Sequence, residues 1–144
     1  MNDKDLGQKR ITPEQYRKIL LGLELKNLFL ISCSSKFDRA SVGADVNVKV
    51  DDKATFGRKE KNEIEIRQTY SFGAKNQTSK KNYLTIKCEY CLSYSSKEEF
   101  TEEFFEMFKR ANLHINSWPF FRELVYSLTS RMYIPPITLP LLKR

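Results

Sequence analysis

The side chains that most often do chemistry are few in this chain and poorly placed for it. There is one histidine, His114, and it stands in a polar break expected over residues 112–116. Without a second imidazole, a hydrolytic triad would need an unusual base, so His114 reads as a structural or solvent-facing residue. Carboxylates are plentiful, but no recognisable motif places a pair of them. The five glycines are scattered and form no phosphate-cradling loop. Cys88 and Cys91 have CxxC spacing, yet side chains three apart on a strand leave by opposite faces. With no second cysteine pair, and His114 the one imidazole, a zinc site falls short of four donors. Cys88 reads instead as a small buried apolar residue. No catalytic residue, no metal and no cofactor is expected.

Charge offers a second kind of chemistry. The net charge is +7, and lysines gather over 53–61 and 75–81. Such a balance suits an acidic partner, whether nucleic acid or a membrane surface. Glu60 and Glu63 interrupt the first cluster, and no helix-turn-helix, RNP or finger pattern accompanies either. Solvated loops are the expected reading, and a basic nucleic-acid-binding module using those lysine-rich loops is the alternative.

The frame that carries these residues follows from composition. A chain of 144 residues is one domain's worth and buries roughly 70% of its unfolded surface. We expect a flexible arm over 1–11 and a single domain over 12–144. The opening MNDKDLGQKR has no apolar stretch of the kind a secretory signal needs, and no apolar run approaches the length of about 18 residues that spans a bilayer. Three cysteines, an odd and sparse set, suit reduced thiols. A cytoplasmic protein is the expectation.

Thr12, Pro13 and Gln15 make a capping-box helix start, and Tyr16, Ile19, Leu20 and Leu23 recur at helical spacing. Residues 25–33 are apolar on both parities, which predicts a strand covered on both faces. Three alternating runs follow: Ala44, Val46, Val48 and Val50; Ile64, Ile66, Tyr70 and Phe72; then Leu84, Ile86, Cys88, Tyr90, Leu92 and Tyr94. Alternation of this kind means one buried and one wet face, the pattern of an antiparallel sheet. Residues 53–62 and 73–82 read as exposed loops. Ser96 and Glu99 suggest a capping box for a helix carrying Phe104, Phe105, Met107, Phe108 and Ala111, with Lys109 and Arg110 near its end. A last helix is expected over about 117–132, with Pro119 in its first turn and Phe121, Leu124, Val125, Leu128 and Met132 as its stripe. The apolar, proline-broken tail over 137–142 must be extended and must lie on something. The predicted fold class is α+β, a four-stranded antiparallel sheet with helices packed on one face.

Three runs carry a resemblance to a known family. They are NSWPFFRELV over 116–125, LTSR over 128–131, and PPITLP over 135–140. They resemble the SecB export-chaperone family, with its proline–aromatic helix start, its small-residue–arginine turn and its proline-led extended tail. VNVKVD over 46–51 is similar to the family's second strand, and 25–33 to its first. The resemblance implies a dimer of dimers that holds unfolded polypeptides in long apolar grooves. Carried over, those grooves would be lined by Val46, Val48 and Val50, together with Phe121, Val125, Leu128 and Leu139. Each of these also has a plainer reading as core or oligomer interface. The chain departs from the family in its positive charge and in lacking the family's last helix. It also has Ser32 and Lys36 where the family places the acidic residues that dock SecA, so SecA docking does not carry over. The family includes chaperones of toxin–antitoxin pairs, and an antitoxin client is open by analogy.

Surplus apolar surface fits that expectation independently. A greasy first strand, a Phe-rich helix and an apolar tail exceed what one small core needs, and such a surplus marks an interaction site or an oligomer interface. Holding a client takes no chemistry: apolar burial yields about 25 cal/mol per Å².

Overall fold

The computed structural model describes residues 10–43, 46–77 and 80–141. Most of the expected N-terminal arm, Ala44 of the second strand's alternating run and Leu142 of the tail fall outside them. The described chain is a helix, four strands and two helices: α1 (Pro13–Leu21), β1 (Leu23–Phe37), β2 (Val46–Glu60), β3 (Glu63–Asn76), β4 (Leu84–Ser96), α2 (Glu102–Ala111) and α3 (Leu113–Arg131). The strands form one antiparallel sheet in the order β1-β4-β3-β2. This is the expected α+β arrangement.

The core lies between the sheet and the helices. Ile64, Ile66, Tyr70, Phe72 and Ala74 of β3 and the even-numbered residues of β4 are sealed against Phe104, Phe105 and Phe108 of α2 and Leu113, Phe121 and Val125 of α3. Tyr70 stacks on Phe121 with ring centroids 4.6 Å apart, and Phe104 stacks on Phe108 at 5.4 Å. The helix α1 starts as its sequence dictates: Thr12 Oγ1 accepts from the Gln15 amide and Gln15 returns a bond to the Thr12 amide. Its Tyr16 stacks on Phe104 and donates to Asn112 Oδ1, so the helix is tied to the joint between α2 and α3.

Several expectations are corrected. The stretch over 53–60 is strand, not loop: β2 pairs with β3 up to a two-residue turn at Lys61 and Asn62, and Ala54 and Phe56 continue its apolar face past Asp52. The helix α2 begins at Glu102, not near Ser96. Ser96 closes β4 opposite Leu23 and spends its hydroxyl on Glu98 O, while Thr101 caps the helix by accepting from the Phe104 amide at 3.1 Å. The break over 112–116 shrinks to Asn112, so His114 sits in the first turn of α3 and Pro119 lies inside that helix. Leu113 and Ser117, one turn apart and both sealed, draw the helix back past the proline: tertiary packing outweighs the cost of a missing intrahelical bond.

The largest correction concerns β1. It is an edge strand whose residues are mostly open in the single chain, rather than covered on both faces. Two bulges, between Leu25 and Asn27 and between Leu30 and Ser32, switch the parity. As a result Leu25, Leu28, Leu30 and Cys33 stand opposite Tyr94, Leu92, Tyr90 and Cys88 on the helix side, and Phe29 stands opposite Cys91 on the other. Both cysteines of β4 are buried, one on each face, as the three-residue spacing requires.

Candidate functional site

The outer strands carry apolar side chains that the other described residues leave well exposed. On β1 these are Leu25, Phe29, Leu30 and Ile31. At the start of β2 they are Val46 and Val48, 42% and 47% exposed, with Val42 just upstream. Val46, Val48 and Val50 do share the helix side of β2, since they pair with Asn76, Ala74 and Phe72. Only Val50 reaches the core, where it is half-buried. Among the described residues both strands are also unpaired along their outer edges. A row of free backbone donors and acceptors beside apolar side chains suits an added extended chain.

A second apolar surface runs between α3 and the tail. The tail lies back along the helix and is held by three bonds. The Ile137 amide donates to Thr129 Oγ1 at 2.9 Å, Arg122 Nε donates to Leu139 O at 2.6 Å, and Trp118 Nε1 donates to Pro140 O at 2.9 Å. Leu139 is thereby pressed into the core, 3% exposed. Beside this seam is an open groove of about 660 Å³, walled by Ile115, Trp118, Arg122 and Tyr126 of α3 and Thr138 and Leu141 of the tail. Most of its lining is apolar, and Arg122 and Glu123 put one charge of each sign at its rim.

The residues expected to line a groove therefore separate into two groups. Val46 and Val48 are open, and Val50 and Leu128 are half-buried. Phe121 and Val125 are fully buried and Leu139 nearly so, which places them beneath the surface as the wall that α3 and the tail are mounted on. Ile115, Trp118 and Tyr126 were missed. With Arg122 they stand at 115, 118, 122 and 126, a second helical stripe beside the buried one. Starting the helix at 117 cut that stripe short.

A polar clasp pins the first turn of α3 to the sheet. Asp52 Oδ2 lies 3.3 Å from His114 Nε2, and Tyr70 OH lies 2.9 Å from His114 Nδ1 and 2.7 Å from Ser117 Oγ. Buried Gln68 donates to Asp52 Oδ2 at 3.3 Å and to two backbone carbonyls, while its own Oε1 is sealed without a partner. The combination of carboxylate, imidazole and hydroxyl is not a nucleophile's relay. The Tyr70 hydroxyl stands between His114 and Ser117, and Ser117 is fully buried, so nothing can reach its oxygen. Burial holds the Tyr70 phenol far above the ordinary tyrosine range, which keeps it a neutral hydrogen-bonding group. Desolvation likewise raises the Cys88 thiol to about 12, with exposed Cys33 opposite it adding a smaller push, so Cys88 is a packing residue. Among the described residues no group of three or more His, Cys, Asp or Glu is arranged to hold a metal. None of the described helices is long and apolar enough to cross a membrane.

No protein-family model matches the chain, and no curated protein matches it significantly. Solved structures do. A chain from Streptococcus agalactiae, described as a protein of unknown function, covers 83% of this chain and 97% of its own at 12% identity, with a TM-score of 0.48, too low to add to the argument. The Mycobacterium tuberculosis Rv1957 SecB-like chaperone, solved in complex with a ChAD peptide from the Rv1956 HigA1 antitoxin, superposes with a TM-score of 0.76 over 89% of this chain and 96% of its own, at 18% identity. The sheet, its order and the helices on one face are thus those of a SecB-like fold, as the runs at the C-terminal end suggested.

Proposed function

We propose that this chain is an ATP-independent holdase, not an enzyme, that binds unfolded polypeptide segments through apolar surface. The observation that carries this reading is the pair of open apolar surfaces: the uncovered margins of the sheet and the groove between α3 and the tail. A client side chain fully buried in such a surface yields about 1.5–3 kcal/mol, so a few of them outweigh the entropy of ordering a short segment. The reading needs no nucleotide. It also gives a use to the unpaired backbone of β2, along which an extended client can add as a strand. Val46, Val48 and Val50 contact the client in this account. Phe121, Val125, Leu128 and Leu139 hold the helix and tail that form the groove.

The SecB-like fold supports the same reading, because the mycobacterial protein of that fold is a chaperone captured with an antitoxin peptide. A dedicated client of this kind is the narrower version of the proposal, and the cytoplasm is where such work is done. Self-association into a dimer or tetramer fits the uncovered β1, which a second copy would shield.

Trp118 is the one tryptophan of the chain and it walls the groove, so it reports on occupancy directly. Adding an extended peptide rich in Leu, Val and aromatic residues is expected to shift Trp118 emission to the blue, saturably. Tyr126→Asp should weaken that binding about tenfold or more, the loss of one well-buried contact. A Trp118 signal that ignores every apolar peptide, together with failure to retain them in a pull-down, rules the proposal out.

A further inference from the structure

The face of the sheet turned away from the helices has its own feature, a basic cleft at one end. In register across the four strands stand Lys49, Gly73, Thr85 and Lys36, and beside them Asp51, Ser71, Lys87 and Ser34. Lys75 and Lys80 close the end of this arrangement, giving a depression of about 310 Å³. Gly73 is part of how it is built. A Cβ there would meet Asn82 Nδ2 at 2.8 Å, so only glycine lets the Asn82 amide lie across the strand. The floor is hydroxylic, from Ser71 and Thr85.

Among the described residues the charge in this cleft is nearly unopposed. Lys49, Lys75, Lys80 and Lys87 are all exposed, and the single carboxylate among the lining residues is Asp51, 3.7 Å from Lys49 in a solvent-facing pair. Such a pair contributes little. Farther along the same face carboxylates oppose the cation, since Arg67 bridges Glu65 and Glu89 at 3.2 and 3.8 Å. The positive potential is therefore local to one end of the sheet.

We propose that this cleft docks an acidic polypeptide segment in extended conformation. Two features favour carboxylates over nucleic acid, and a third sets the length of the segment. No exposed aromatic ring lines the cleft, since Phe72 turns to the core, so bases have nothing to stack on. The cations are lysines, compact point charges, with no arginine fork for phosphate. Lys49 and Lys36 lie three strands apart, about 14 Å at the usual inter-strand spacing, which about four residues of extended chain span. The cleft is on the opposite face from the apolar groove, so it works whether or not the holdase reading holds.

The test is anisotropy with a fluorescein-labelled peptide of alternating Glu and Ser, about ten residues long. Binding at low salt should weaken about tenfold or more as salt rises to physiological strength and beyond, because exposed charges are screened over about 8 Å. The double variant Lys49→Glu/Lys87→Glu should lose binding about thirtyfold, and Lys49→Arg/Lys87→Arg should keep it within about threefold. Asp51→Asn should tighten it about twofold. Lys75→Glu/Lys80→Glu serves as a second variant if the first shifts the unfolding midpoint. Peptide binding that survives both charge reversals overturns the proposal. So does a single-stranded oligonucleotide of matched charge that binds tenfold tighter than the peptide and is lost in the same variants.

Discussion

The inner and outer strands of this sheet have similar apolar content and opposite fates. On β3 and β4 every second residue is sealed, from Ile64 through Ala74 and from Leu84 through Tyr94, because both strands have neighbours on either side and helices above. On β1 and β2 many of the corresponding side chains stand open, Leu25, Leu30, Val46 and Val48 among them, while Leu28, Val50, Ala54 and Phe56 are half-buried. Leu25 and Leu30 oppose Tyr94 and Tyr90, and Val48 opposes Ala74, yet the helix layer leaves these positions open, while farther along β2 Phe56 packs on Phe105 of α2 at 4.6 Å. Stability is thus concentrated in the middle of the sheet, and the apolar surface left for a partner lies at its margins. The same side-chain chemistry builds a core where it is covered and a binding surface where it is not.

The contrast is tested most strongly by emptying the centre. Phe104→Ala removes a fully buried ring stacked on Tyr16 and Phe108, and should cost about 3–5 kcal/mol in urea unfolding. High pH attacks the same region. Burial raises Tyr94 from 10.0 to about 12 and Cys88 from 9.0 to about 12, and holds Tyr70 and Tyr90 higher still. These groups lose protons more readily in the unfolded chain, so their contribution is complete below about pH 9 and is lost as pH rises from there through about 12. The urea midpoint should be flat near neutrality and fall progressively across that window. Removing the Thr101 cap by Thr101→Ala should cost about 1 kcal/mol, visible as a smaller midpoint shift. Tyr133 closes α3 with φ of 62° and is 90% exposed, so Tyr133→Gly should gain about 1 kcal/mol by relieving a left-handed residue. The smallest effect belongs to the margins. Leu30→Ser or Val48→Ser should change the unfolding free energy by less than about 0.5 kcal/mol.

The legible parts of the fold were those where periodicity and burial coincide. The alternation of β3 and β4 and the Phe stripe of α2 stated their own positions, and the proline-broken tail announced that it had to lie on something. What hid was set by partners distant in sequence. The bulges of β1 exist to fit β4 and reverse the parity that a continuous strand would have. The continuation of β2 past Asp52 is masked because that carboxylate, aimed at His114 and Gln68, interrupts the apolar series. The groove residues Ile115, Trp118 and Tyr126 were hidden by Pro119, which reads as a helix start and is instead held inside α3 by the packing of Leu113 and Ser117. The valines of β2 were legible as a stripe, but a stripe on an edge strand does not say whether anything covers it.

Whether the margins receive a guest chain is decided by light scattering from a chemically unfolded client diluted into buffer with an equimolar amount of this protein. The wild-type chain should delay aggregation, and Val46→Ser/Val48→Ser should lose most of that delay while its urea midpoint stays in place. A double variant that protects the client as well as the wild type, or a wild type that gives no delay, would contradict the account.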